Sequence, residues 1–106
     1  MGEYTIEMNF RRARKQAEEL KEIAQSLRCL AEREVEESLE SLSGGWSGAG
    51  ADSYLTKARG LQKEIQSTAV DIQKTADSLL QAARRIYDAE MAALERARER
   101  EWQRHQ

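Results

Sequence analysis

The stretch that decides the fold is Ser43–Gly50, which reads SGGWSGAG and holds four of the six glycines in a chain of 106 residues. Adjacent glycines end a helix readily, because glycine adopts left-handed backbone angles without a clash at Cβ. Ser47 is suited to cap a following helix, and Asp52 in the first turn of that helix suits the positive end of its dipole. The stretch therefore predicts a turn between two helices.

Apolar residues on both sides of the turn follow helical spacing. From Phe10 to Ala31 they recur at alternating steps of three and four, which is a heptad seam of alanine and leucine. The seam then shifts through Val35 and Leu39, a four-residue insertion that predicts local unwinding of a supercoil. A second seam runs from Ala51 to Ala97. We predict one domain over residues 1–106, with a helix over about 6–42, the turn at 43–50 and a helix over about 51–100.

A connection this short between two long helices forces them antiparallel, so the predicted fold is an all-α helix-turn-helix hairpin. Folding the chain about Trp46 places Glu36 level with Lys57 and Glu34 level with Arg59, so opposite charges face each other. An acidic face without a partner is the alternative. The same folding leaves the chain beyond about Met91 as an overhanging tail that still carries apolar residues at Ala93, Leu94, Ala97 and Trp102.

The composition excludes several classes of function. The chain has no proline, 34% charged residues, a mean hydropathy of -0.80 and a net charge of -2. This balance is typical of long helices, and it lacks the basic field that nucleic acid requires. No apolar stretch approaches the ~20 residues that cross a bilayer. With one histidine, His105, and one cysteine, Cys29, the chain offers no catalytic triad, no zinc site and no internal disulfide. We therefore expect no enzymatic activity, no catalytic residue, no metal and no cofactor.

Each predicted helix carries an apolar stripe that is wider than one line of contact can cover. Small chains often bury such surplus surface by oligomerising, and two hairpins pressed together form a four-helix bundle. A stable monomeric hairpin is the alternative. The predicted partner-facing stripe consists of Leu20, Ile23, Leu27, Leu61, Ile65, Ile72, Leu79, Ile86 and Leu94.

With Trp46, Ser47 and Gly48 midway between two proline-free helices, the chain resembles the WXG family, the early-secreted-antigen-like (Esx-type) proteins of bacterial type VII secretion. The resemblance covers chain length, helix layout and motif position. It implies a protein that functions by protein–protein binding as a secretion substrate or export partner. Such a protein forms a homodimer, or a heterodimer with a similar hairpin. In physical terms Trp46 is also suited to cover the end of the seam near Leu42 and Leu55.

Family members often carry a Tyr-x-x-x-Asp/Glu export signal after the second helix. Tyr87 is the residue that fits best here, but the fourth residue after it is Met91, so the strict pattern fails. Glu90 could substitute, because positions three and four apart share a helix face, and Asp88 lies in the same segment. The resemblance also implies recognition by the secretion ATPase. The N-terminus lacks the signature of a secretory signal peptide. We therefore expect a cytoplasmic protein that is then secreted without a cleaved signal peptide.

Two other functions stay open at this stage. One is a dedicated targeting factor or chaperone that binds the helical leader domain of a larger secreted toxin. The other is a generic coiled-coil scaffold or membrane-surface element, suggested by the basic cluster Arg11, Arg12, Arg14 and Lys15 beside Phe10. The net charge disfavours the membrane-surface reading, and we expect no stable membrane insertion. Cys29 beside the seam is a small half-buried residue, or forms an intermolecular disulfide after export.

Overall fold

The computed structural model describes residues 2–106, and almost all of them are helical. Helix α1 spans Glu3–Cys29, a π-helical segment spans Leu30–Val35, α2 spans Glu36–Gly45 and α3 spans Ala49–Arg104. The described residues contain no strand. The predicted all-α helix-turn-helix hairpin is therefore confirmed.

The turn is shorter than the glycine-rich stretch suggests, because only Trp46–Gly48 lies between the helices. Gly45 remains in α2, and Trp46 then takes an extended backbone with φ −136° and ψ 130°. The chain reverses at Gly48, whose φ is 105°. The Asp52 N–H donates to the Gly48 carbonyl over 3.0 Å, so Gly48 holds the cap position that the sequence suggested for Ser47.

The chain divides into two compact units. The first, which we call the turn unit, is Leu20–Lys74, and it contains the π-helical segment, α2 and the turn. The second, which we call the terminal unit, joins the chain up to Glu19 with Thr75–Gln106. Each unit pairs a stretch of the first helical arm with a stretch of α3.

Alanine forms most of the buried core of the turn unit. Ala24, Ala31 and Ala69 are completely buried, and Ala51 at the start of α3 is buried as well. A methyl side chain lets two helix axes approach closely, since the interaxial distance depends on the side chains at the contact. The larger residues of the predicted seams, such as Leu27, then lie on the flanks of the contact and are only half-buried.

The terminal unit has a similar core. Its buried residues are Ile6, Ala17, Ala76 and Ala83. At its outer end the Arg98 guanidinium forms an ion pair with Glu3, with Nη2 and Oε2 3.2 Å apart. The predicted tail beyond about Met91 is therefore not wholly without a partner in α1, because the long side chains of Arg98 and Glu3 reach each other.

The π-helical segment coincides with the insertion in the heptad pattern. Buried alanines lie seven residues apart at positions 17, 24 and 31, but the next buried residue of this arm is Leu39, eight positions further. A π-helical turn closes its hydrogen bond one residue later than an α-turn. The extra residue is thus absorbed inside the helix, which keeps both Ala31 and Leu39 on the buried side.

Alanine substitution should affect stability in opposite directions at a glycine in the turn and at a glycine inside a helix. We expect Gly48→Ala to lower the free energy of unfolding by about 1–2 kcal/mol, because φ at this position is 105° and a Cβ is strained there. Gly60→Ala is the matched control, since Gly60 lies inside α3 with open space around its Cβ position. It should raise stability by about 0.5–1 kcal/mol. Urea unfolding followed by circular dichroism measures both, and equal effects would contradict the assignment.

Candidate partner-binding surfaces

The Trp46 side chain forms part of the surface at the turn. Its indole packs at a tilt against the Tyr54 ring, with centroids 5.5 Å apart, and 43% of the residue is exposed. Beside it runs an open groove along one face of the π-helical segment and α2, which we call the turn groove. The groove is lined by Glu34, Glu37, Ser38, Ser41, Leu42, Gly45 and Trp46. Leu42 lines the same groove as Trp46, and Tyr54 is the aromatic neighbour of the indole. That Trp46 covers the end of the seam near Leu42 and Leu55 stays a prediction.

A polar network joins α3 to the π-helical segment in the turn unit. Gln62 is buried, and its Nε2 donates to the Ala31 carbonyl over 2.7 Å and to Glu36 Oε2 over 2.9 Å. Arg59 Nη1 donates to Gln62 Oε1 over 3.1 Å and also forms a hydrogen-bonded ion pair with Glu36. The sequence did not predict a role for Gln62. Its only signal was that a polar residue occurs at the heptad spacing of the buried alanines.

The observed ion pair corrects the predicted charge register. Arg59 pairs with Glu36, whereas folding about Trp46 placed it opposite Glu34 and placed Glu36 opposite Lys57. The difference is two residues along α3. The contact of Gln62 with Ala31 keeps the predicted register, so the difference lies in the reach of the long Arg59 side chain along the hairpin.

The network also alters the acidity of Glu36. The hydrogen bond from the Arg59 guanidinium, followed by that from Gln62, lowers the pKa of the Glu36 carboxyl group below its usual value. Both interactions favour the charged form. Glu36 is therefore paired within the hairpin, whereas Glu34 and Glu37 line the turn groove.

The predicted partner-facing stripe lies on the flanks of the alanine core. None of its nine members is buried. Ile23, Leu61 and Ile86 are 50%, 58% and 57% exposed. The six others are half-buried, namely Leu20, Leu27, Ile65, Ile72, Leu79 and Leu94.

The segment suggested as an export signal lies inside α3. The Tyr87 ring packs against Phe10 with centroids 5.0 Å apart, and the helix continues to Arg104. Asp88 and Glu90 border different clefts, and Glu90 lies in the smaller one, with Ile6 among its neighbours. The export-signal role of Tyr87, Asp88 and Glu90 stays a prediction.

Asp88 borders an open cleft of about 530 Å³ in the terminal unit, which we call the arginine cleft. Side chains of α1 and α3 line it, and these are Glu7, Phe10, Arg11, Arg14, Arg84, Tyr87 and Asp88. Arg11 and Arg14 are two of the four cations in the basic cluster read from the sequence. Here they share the cleft with two carboxylates, Glu7 and Asp88.

The described part of the chain offers neither a metal site nor a membrane span. Residues 2–106 include no group of three or more His, Cys, Asp or Glu side chains placed to hold a metal ion. Over the same residues, no helix has the length and apolar character to span a bilayer. The Cys29 thiol is half-buried and lies 3.8 Å from Gln25 Nε2.

Comparison with known protein families identifies a match over most of the chain. The family model WXG100, described as proteins of 100 residues with WXG, matches residues 5–91. The matched span includes the turn and Tyr87. No curated protein and no solved structure matches the chain.

The buried amide of Gln62 should contribute measurably to stability. We expect Gln62→Ala to lower the free energy of unfolding by about 1–3 kcal/mol, because it removes a donor to the Ala31 carbonyl and opens the core. Gln81→Ala, on an exposed face of α3, is the matched control and should change stability by less than about 0.5 kcal/mol. Chemical denaturation measures the free energy of unfolding of both variants. Similar losses of stability in the two would contradict the stabilising role assigned to Gln62.

Acid should weaken the hairpin through Glu36. Since its folded pKa is lowered, the interaction stabilises the fold above the unfolded value of 4.5 and is lost as pH falls through the folded pKa. The stability gap between the wild type and Glu36→Gln should therefore shrink as pH falls from 7 to about 3. In an Arg59→Met background most of this pH dependence should disappear. A stability difference between the wild type and Glu36→Gln that stays constant with pH, with Arg59 present, would rule out the linkage.

Proposed function

This chain belongs to the WXG100 family of small helical type VII secretion proteins, and we propose that it acts by pairing with a second helical hairpin through its apolar stripe. Members of the family are secreted by the type VII system, and they typically pair with WXG-like partners. The proposed partner is a second copy of the chain or a similar hairpin. Pairing would complete a four-helix bundle.

The observation that carries this proposal is the contrast between the core and its flanks. The residues buried in each unit are mostly alanines, whose methyl groups contribute little burial. Large side chains such as Ile23 and Leu61 remain half or more exposed. Fully burying one aliphatic side chain contributes about 1.5–3 kcal/mol, so a partner that covers the stripe would add apolar burial that the hairpin alone does not reach.

We propose the role of secretion substrate or export partner, present in the cytoplasm before export. In the export-partner version the other chain carries the signal that the secretion ATPase reads. The packing of Tyr87 against Phe10 supports this version, because a ring held inside a continuous helix is less accessible than one in a free tail.

A dedicated targeting factor for a toxin is the second proposal. In it the stripe binds the helical leader domain of a larger secreted protein. The same exposed residues would serve, and Leu94 and Trp102 near the end of α3 would extend the surface. A generic scaffold or membrane-surface element is less well supported, because Glu7 and Asp88 lie among the arginines of the basic cluster.

Two measurements test the proposal and separate its versions. Sedimentation equilibrium of the purified chain, alone and mixed with the leader domain of a toxin encoded nearby, shows which pairing forms. A homodimer that ignores the leader domain argues against the targeting role. Secretion is tested by following the tagged chain in culture medium with and without the secretion ATPase. Equal export in both strains would refute a type VII role.

Polar substitution of the stripe should weaken pairing while leaving the hairpin folded. We expect Ile23→Ser combined with Leu61→Ser to raise the dissociation constant at least tenfold, because each loses apolar area that a partner would bury. Val70→Ser is the control: Val70 is 43% exposed, and helical spacing places it on another face of α3 than Ile65. Sedimentation gives the constants and circular dichroism verifies folding. Equal effects of the two changes would contradict the stripe assignment.

A further inference from the structure

We propose that a basic belt on the terminal unit is a second binding site, and that it takes an acidic helical segment of another protein. The belt consists of residues 8–17 of α1 and 78–87 of α3. The site goes beyond the pairing of hairpins proposed above, because it lies away from the apolar stripe and needs no second hairpin to form. Its charge, its aromatic wall and the acidic residues at its borders define the class of ligand.

The belt concentrates positive charge in a chain that is acidic as a whole. Its two segments contain six cations and no acidic residue, while the net charge of the chain is -2. The segments lie level with each other, since the rings of Phe10 and Tyr87 are in contact. All six cations are exposed, and these are Arg11, Arg12, Arg14, Lys15, Arg84 and Arg85. An anionic partner therefore meets a local field that the overall composition conceals.

The chain itself leaves most of these cations without an ion pair. Arg14 Nε lies 3.9 Å from the carboxylate of Glu18, which is a long contact between two exposed side chains. The other five form no ion pair with a described residue. Arg11 and Arg84 border the arginine cleft from different helices. Each guanidinium group offers a planar fork of donors that matches a carboxylate.

Helical spacing places the arginine cleft away from the apolar stripe. On α1, Leu20 of the stripe follows the buried Ala17 by three residues, whereas Arg14 of the cleft precedes Ala17 by three. The two side chains therefore lie on opposite sides of the core contact. On α3, Ile86 of the stripe and Arg84 of the cleft are two residues apart, which is about 160° around the helix. The cleft therefore stays open when a second hairpin covers the stripe.

Acidic residues border the belt at both ends and restrict what can bind. Glu7 and Asp88 follow at one end, and Glu18 and Asp77 follow at the other. Each segment between them has ten residues, or about 15 Å along its helix. A nucleic acid or an anionic membrane that lies along the hairpin would bring phosphates against these acidic borders. A single helix that crosses the hairpin is about 10 Å wide, so it fits between them.

The cleft also provides an apolar wall. Phe10 and Tyr87 are half-buried and line it beside the arginines. An aliphatic side chain of the ligand can pack against these rings, and the exclusion of water there strengthens the neighbouring ionic contacts. The ligand that suits the site is therefore a helix with carboxylates three or four residues apart and an aliphatic residue on the same face.

A designed peptide tests the site on the full-length chain. The probe is a short fluorescent helix with glutamates three and four residues apart and a leucine on the same face, and its counterpart carries glutamines instead. Fluorescence anisotropy should show at least tenfold tighter binding of the glutamate peptide. Arg11→Gln with Arg84→Gln should weaken that binding at least tenfold, because two guanidinium forks are lost. Either single change should weaken it at least threefold, and it replaces the double variant if circular dichroism shows unfolding.

Two variants serve as controls. Arg96→Gln with Arg100→Gln removes the same charge from exposed positions of α3 outside the belt, and it should alter peptide binding less than threefold. The stripe variant, Ile23→Ser with Leu61→Ser, should bind the peptide as tightly as the wild type does. This second control separates the belt from the pairing of hairpins.

Several outcomes would overturn the inference. Equal binding of the two peptides would do so, and so would equal losses in the belt variant and the charge control. Vesicles of phosphatidylserine and phosphatidylcholine, and a duplex DNA, are parallel probes at physiological ionic strength; tighter binding of either than of the glutamate peptide would refute a protein ligand. Loss of peptide binding in the stripe variant would refute a separate site. Peptide binding by a chain that stays monomeric would support the belt and refute only self-pairing.

Discussion

The fold depends on alanine at the points where the two arms of the hairpin meet. Ala24, Ala31 and Ala69 are completely buried, and methyl side chains at such contacts allow two helix axes to approach closely. Aliphatic residues are consequently displaced to the flanks. The spacing that holds each unit together also leaves the chain with apolar surface that it does not cover itself, so the fold and the proposed function have one cause.

One place in the core departs from this rule. The heptad spacing of buried residues gains a residue between Ala31 and Leu39, and the backbone responds with a π-helical segment. A widened turn changes the intrahelical bonding of carbonyl groups, and Gln62 donates to one of them, that of Ala31. Since Gln62 also contacts Glu36 and Arg59, the irregular backbone and the ionic network form a single unit. Gln62 thereby places a buried polar side chain in a core that consists mostly of alanine.

The sequence predicted the helices, the reversal at the turn and the hairpin, because heptad spacing and clustered glycines are local signals. The family resemblance rested on the same turn. Finer geometry depended on features that act at a distance. The ion pair of Glu36 was displaced by two residues because the helix register does not reveal how far a long arginine side chain reaches. The buried position of Gln62 was not predicted, since a single glutamine on a helix gives no pattern by itself. The arginine cleft arises where α1 and α3 meet, so residues far apart in sequence had to be placed first.

The three-residue turn also governs the order in which the chain can fold. Contacts of the turn unit join residues of modest separation, as between Gln62 and Ala31, which are 31 positions apart. The ion pair of Glu3 and Arg98 in the terminal unit spans 95 positions. Loop closure costs more entropy for longer loops, so we expect the hairpin to nucleate at the turn and zip toward its ends. With no proline in the chain, no slow prolyl isomerisation interrupts that process, so the hairpin can form quickly from the unfolded chain.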